Sequence, residues 1–182
     1  MKPEHWGPSI WYLIHSITYA IDDDEYFTKY KHSYFQFYES LRRIIPCPIC
    51  RNHFINIMKN KDIYECKTKE DIINWGISKH NNVNKRLKKN NITREETNII
   101  YDQIRLDKII KAIDILTFNT QRNFPINEYK NFFESLRIIF PIQSFRIAYQ
   151  EGMKINKIKV LNHNSLIKWY LNLGTYILKN LK

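Results

Sequence analysis

The sequence predicts an all-α protein, and three observations carry that prediction. Only 4 Gly and 6 Pro punctuate 182 residues, too few for a turn-rich β fold. Apolar residues recur at i, i+3 and i+4 along most of the chain. A polar N-cap signal with acidic first-turn residues, Thr68-Lys69-Glu70-Asp71, opens one of these stretches. A hydrophobic content of 43% is enough for a real core in one domain or two small ones.

The first helix is expected over residues 3–21, with Ile10, Trp11, Ile14, Ile17 and Ile21 on its apolar side. Gly7, Trp11 and His15 stand four apart and share a face, which suits a core tryptophan and hydrogen-bonded histidine as well as a binding row. Asp22-Asp23-Asp24 reads as a polar connection, and residues 28–43 as a second helix with an aromatic stripe at Tyr30, Tyr34, Phe37, Tyr38 and Leu41. A third helix starts at Cys47-Pro48-Ile49-Cys50 and runs to about Lys59, with Pro48 in the first turn where proline is tolerated. Residues 60–68 form a loop holding Cys66, and a fourth helix spans roughly 69–89.

Cys47 near a helix N-cap would place both sulfurs where the dipole and unpaired N–H groups stabilise a thiolate. That position suits a redox pair and equally half of a zinc site. On the fourth helix His80 and Asn84 share a face, with Lys88 one turn beyond, while Trp75, Val83 and Leu87 make the helix partly buried. A histidine and asparagine followed by lysines can hold a polar ring system and then a phosphate; the plainer alternative is a polar helix surface.

The chain carries 29 Lys+Arg against 18 Asp+Glu, a net charge of +11. Such a surplus suits nucleic acid, an anionic membrane, a phosphate-bearing cofactor or a lysine-rich solvated surface. Abundant Ile, Asn, Lys and Tyr are also what AT-rich coding produces. Three cysteines (Cys47, Cys50 and Cys66) are too few for a disulfide-stapled secreted scaffold. No signal-peptide pattern or membrane-spanning apolar run is read.

Taken in order, Gly7-x3-Trp11-x3-His15, Cys47-x2-Cys50 and Trp75-x4-His80-Asn81-x-Val83-Asn84-x2-Leu87-x-Lys89 resemble the Erv/ALR family of FAD-linked sulfhydryl oxidases. The resemblance implies a four-helix bundle plus a short fifth helix with FAD at its mouth, over residues 1–94 and reaching to about residue 105. It implies that Gly7, Trp11, His15, His53, Trp75, His80, Asn81, Val83, Asn84, Leu87, Lys88, Lys89 and Tyr101 serve the cofactor. The basic run Lys85, Arg86, Lys88 and Lys89 gives a pyrophosphate the cations it needs. Cys47 and Cys50 are then the catalytic pair: a substrate thiolate attacks Cys47, a second thiol resolves the mixed disulfide, and Cys50 passes two electrons to the flavin and so to oxygen, giving hydrogen peroxide. The implied partners are protein thiols or a separate thioredoxin-like shuttle, oxygen, and a second copy in a homodimer, with no nucleic acid, metal or membrane span required.

The chain departs from the family in three ways. It has no second CxxC to act as an internal shuttle. Ile77 stands where relatives begin a disulfide that pins the fifth helix, which leaves Cys66 as a free thiol. Ile44-Ile45 replace tyrosines, so packing against the flavin is expected to differ there. These features resemble the compact members encoded by large cytoplasmic DNA viruses, whose location would be the host cytoplasm or the virion. Two other readings stand beside this one. A zinc- or nucleic-acid-binding module would use Cys47, Cys50, Cys66 and His80 but leaves Trp11, His15, Asn81 and Asn84 unexplained, and a catalytically inactive scaffold leaves the intact CxxC unexplained.

Residues 95–182 contain no cysteine, yet they repeat the first half. Tyr34, Phe37, Glu39, Ser40, Leu41, Arg42, Ile44, Pro46, Arg51, Met58 and Lys59 recur as Tyr129, Phe132, Glu134, Ser135, Leu136, Arg137, Ile139, Pro141, Arg146, Met153 and Lys154. The shift is 95 throughout (134 minus 39), and after a one-residue deletion Trp75, Leu87 and Lys88 match Trp169, Leu181 and Lys182. Cys47, Cys50, His80 and Asn84 become Ile142, Phe145, Gly174 and Leu178. A degenerate, FAD-free copy of the bundle is expected, with helices at about 96–118, 126–140, 142–153 and 164–181; an unrelated helical extension is the alternative.

Overall fold

The computed structural model describes residues 3–59, 62–119 and 124–181. Lys182, one of the repeat matches, lies outside them. Among the described residues there are nine α-helices and no strand, and no helix is long and apolar enough to cross a membrane.

Helices α1 (Pro3–Tyr19), α2 (Asp24–Ile44), α3 (Pro48–Ile57), α4 (Lys69–Arg86) and α5 (Arg94–Tyr101) come first, with a 3₁₀ turn at Asp62–Glu65 before α4. Their ends follow from local chemistry. Asp23 caps α2 by accepting from Tyr26 N–H, so this helix starts four residues before the aromatic stripe suggested. Cys47 caps α3, its sulfur accepting from Cys50 N–H at 3.2 Å, with Pro48 as the first helical residue. Capping boxes open α4 (Thr68 with Asp71) and α5 (Thr93 with Glu96). After α4, Lys88 takes a left-handed φ of 55°, while Lys89 N–H returns to Asn84 C=O and Lys88 N–H to Lys85 C=O. That is a Schellman stop, with lysine where glycine is the usual occupant.

Helices α6 (Leu106–Phe118), α7 (Ile126–Ile139), α8 (Gln143–Ile155) and α9 (His163–Asn180) complete the chain. The single helix expected over about 96–118 is in fact two, α5 and α6. The chain breaks at residues 102–105, where Arg105 N–H donates to the hydroxyl of Tyr12. Amphipathic periodicity continues across this break, so the pattern alone could not reveal it.

Many contacts recur at the repeat spacing. Trp75 Nε1 donates to Asp62 while Trp169 Nε1 donates to the Asn156 carbonyl, both 94 apart (169 minus 75). Arg51 donates to Ile45 C=O as Arg146 does to Phe140 C=O. Tyr38 meets Trp75 edge-on at 4.8 Å and Phe133 meets Trp169 at 4.9 Å. The capping box of α4 has its counterpart at Asn162 and Ser165 on α9. Between the halves, α2 packs on α7 and α1 on α6. Phe37 stacks on Phe132 at 5.5 Å, both fully buried, so one apolar core runs through the chain.

Candidate functional site

A cavity of about 470 Å³ opens between α1, α3, α4 and α5. Of the residues singled out for the cofactor, its wall contains Gly7, Trp11, His53, His80, Val83, Asn84, Leu87, Lys89 and Tyr101, and it contains Cys50. Four others stand behind or beside the wall. His15 is completely buried beneath His80. Trp75 packs on Tyr38 and bonds Asp62, which also holds Lys79 in an ion pair. Asn81 clamps the backbone of Ile92, accepting from its N–H at 2.8 Å and donating to its C=O at 2.9 Å, and so fixes the approach to α5. Lys88 forms the left-handed stop described above. Trp6, Ile45, Phe54 and Arg86 line the cavity as well. Trp6 and Phe54 could not be told from ordinary core in the sequence, because a cavity wall and a core present the same apolar periodicity.

The cavity is built around an aromatic run. Trp11 and His80 stack with centroids 4.1 Å apart and planes within 4°, and Phe54 meets Trp11 edge-on at 6.2 Å. His15 Nε2 lies 3.0 Å from His80 Nδ1, so one imidazole donates to the other. His15 Nδ1 is buried without a partner, close against Gly76, where even a Cβ would sit 3.6 Å away. A buried lone pair is less costly than a buried unpaired N–H, so His15 donates through Nε2 and His80 carries its proton on Nε2. Both rings are neutral at physiological pH. Burial, then the neighbouring His80, lowers the His15 pKa to about 3, and burial, then Lys89, lowers that of His80 to about 4. Tyr101 on α5 leans on His15 and Tyr12, and Tyr19 meets Thr97 at 2.6 Å, pinning α5 to α1 without a disulfide.

Cys47 and Cys50 form a disulfide. Both are partly exposed, but only Cys50 belongs to the cavity wall; Cys47 lies at the helix tip, next to Ile49 at 73% exposure. Cys47 sulfur accepts from the Cys50 N–H at the helix N-terminus, an environment of the kind that stabilises a thiolate. Cys66 is free and buried, and burial raises its thiol to about 11. The four donors of the zinc alternative are not brought together: among the described residues no three His, Cys, Asp or Glu side chains converge.

The wall suits a dinucleotide carrying a planar ring. It offers the Trp11–His80 stack, the cations Arg86 and Lys89, and open space over Gly7, where a Cβ would meet nothing within 4 Å. It also holds an unused donor, since Trp6 Nε1 is buried with no partner in the protein.

The sequence profile of the Erv1/Alr family matches residues 8–103. The FAD-linked sulfhydryl oxidase of African swine fever virus (isolate Pig/Kenya/KEN-50/1950) is 33% identical over 110 residues, covering 60% of this chain and 87% of the viral one. A protein of Frog virus 3 named as an FAD-linked sulfhydryl oxidase is 29% identical over 118 residues, 64% of this chain and 77% of that one. One from Acanthamoeba polyphaga mimivirus, named likewise, is 30% identical over 88 residues, 46% and 59% of the two chains. No solved structure matches the chain.

Proposed function

The chain belongs to the Erv1/Alr family and is an FAD-linked sulfhydryl oxidase; on that premise we propose how its own residues carry the reaction. The observation that supports these roles is the asymmetry of the disulfide, with Cys50 in the cavity wall and Cys47 outside it. A protein thiolate, reaching the site directly or through a thioredoxin-like shuttle, attacks Cys47 Sγ. The Cys47–Cys50 bond breaks, a mixed disulfide forms on Cys47, and Cys50 leaves as thiolate. A second substrate thiolate attacks the substrate sulfur of the mixed disulfide, releasing oxidised product and Cys47 thiolate, which the Cys50 N–H stabilises. Ile49 gives an approaching substrate an apolar contact beside Cys47. Cys66 takes no part, because a buried thiol raised to about 11 holds almost no thiolate.

Bound in the cavity, FAD supplies the two-electron acceptor and the transfer to oxygen, giving hydrogen peroxide, that the side chains cannot. Trp11, His80 and Gly7 would hold its ring systems, Trp6 would donate to it, and Arg86 and Lys89 would meet its pyrophosphate. Behind them His15 fixes the His80 ring, Asn81 holds α5 and its Tyr101 in place, and Trp75 anchors α4.

We also read α6–α9 as a degenerate copy of α1–α4, with the boundary at residues 102–105. The matched hydrogen bonds of Trp75 and Trp169, and of Arg51 and Arg146, support this reading. An unrelated extension would have no reason to reproduce them. Phe37 stacks on its own counterpart Phe132, as residues on the axis of a twofold dimer do. The second bundle therefore occupies the face that a second copy would use.

The test is a Cys50→Ser variant. It is expected to keep the yellow flavin, lose catalytic turnover of a dithiol, and accumulate mixed disulfides on Cys47. Normal peroxide production by this variant would overturn the assignment.

A further inference from the structure

A second cavity, of about 310 Å³, lies between α6, α8 and α9. It occupies the place in the second bundle that the flavin cavity occupies in the first. Phe145 stands for Cys50, Gly174 for His80 and Leu178 for Asn84. Between α1 and α6 the buried positions match at a shift of 99 (113 minus 14), one helical turn beyond the repeat spacing. Ile110 then stands for Trp11 and Asp114 for His15.

The replacements change the chemistry without closing the space. The flat Trp11–His80 stack of the first cavity is reduced to Ile110 and Gly174, and its thiol to an aromatic ring. The one charged group in the wall among the described residues, Asp114, accepts the Tyr170 hydroxyl at 2.8 Å. Tyr170 stands at the position of Gly76 (170 minus 76 is again 94) and meets Asp114 there, so the polar pair is satisfied within the wall.

The glycines point the same way. Gly76 and Gly152 are packed, Gly152 so closely that a Cβ would lie 2.7 Å from Leu173. Around Gly7 and Gly174 a Cβ would meet nothing within 4 Å, and each of these lines one of the two cavities. Glycine inside a helix such as α9 costs about 1 kcal/mol relative to alanine. No close neighbour at position 174 explains that cost, whereas an occupant does.

We propose that this second cavity is a ligand site for an uncharged, apolar small molecule. Its volume is at the lower end of the range of small-molecule sites, and among the described residues its wall presents no cation to a nucleotide pyrophosphate. The site does not depend on how the first cavity is used, because flavin content is read separately from its own absorbance.

The experiment titrates the FAD-loaded full chain with Nile red, a neutral fused-ring fluorophore. Saturable enhancement with one probe per chain is expected. Gly174→Trp should fill the cavity and weaken binding by about tenfold or more, with flavin absorbance retained as the folding control. Leu178→Glu changes a side chain that is 78% exposed, so it folds if the first variant does not, and it should weaken binding similarly. Absence of saturable binding, or binding indifferent to both variants, would overturn the proposal. So would two FAD per chain, which would make the second cavity a dinucleotide site.

Discussion

His15 and His80 make stability depend on pH in a direction that can be worked out. Their folded pKa values, about 3 and about 4, lie below the ordinary histidine value of 6.5. The unfolded chain therefore binds more protons than the folded one throughout the interval between. Stability is fully present above 6.5 and is lost as pH falls, each histidine contributing a slope of at most about 1.4 kcal/mol per pH unit. Denaturant midpoints of the FAD-free protein are expected to drop from pH 6.5 to 5, a window above the carboxylates. Replacing His80 by Asn should reduce that slope without abolishing it, because burial also lowers His15 and His53. A flat profile in the parent protein would mean that the pair is charged or solvated. The sequence carried much of this site: the four-residue spacing put Gly7, Trp11 and His15 on one face, and the CxxC was plain. It did not tell His80 in the wall from His15 beneath it, because which of two rings lies deeper depends on how far α4 tilts over α1. Trp75 and Asn81 were found as site residues, but the structure gives them supporting positions through Asp62 and Ile92.

Among the elements, the stop of α4 sets the backbone that carries Leu87 and Lys89 into the cavity wall. Lys88 pays a left-handed penalty there of roughly 1 kcal/mol, which glycine would avoid. Lys88→Gly should therefore stabilise the FAD-free protein by about that amount, raising the melting temperature by about 2–4 °C. Thermal unfolding followed by circular dichroism checks this, and a fall would show that the lysine side chain holds something in place. Helix caps were the most legible elements, since Thr68 with Asp71 gives the start of α4 to the residue. The division between α5 and α6 was illegible because it depends on Tyr12, more than 90 residues away in sequence, accepting from Arg105 N–H. A local periodicity contains no information about such a contact.

At the scale of the whole molecule, the repeat predicts an oligomeric state. In a twofold homodimer each residue near the axis meets its own copy. Here that relation is met inside one chain: Phe37 stacks on Phe132, α2 lies along α7, and α1 along α6. Tyr26 donates to the Ile138 carbonyl and accepts from Arg146, adding polar contacts across the same boundary. That face is covered within the chain, so it is not open to a second copy. The full chain is therefore expected to sediment as a monomer of 22.2 kDa at micromolar concentration. Because Phe37 and Phe132 are fully buried in a common core, both halves should unfold in a single transition, seen together by flavin release and by helix signal. Phe132→Ala should lower stability by about 3–5 kcal/mol and promote flavin loss, although the residue lies outside the matched family region of residues 8–103. A concentration-dependent dimer, or a second bundle that melts independently while flavin stays bound, would show that the halves are merely tethered.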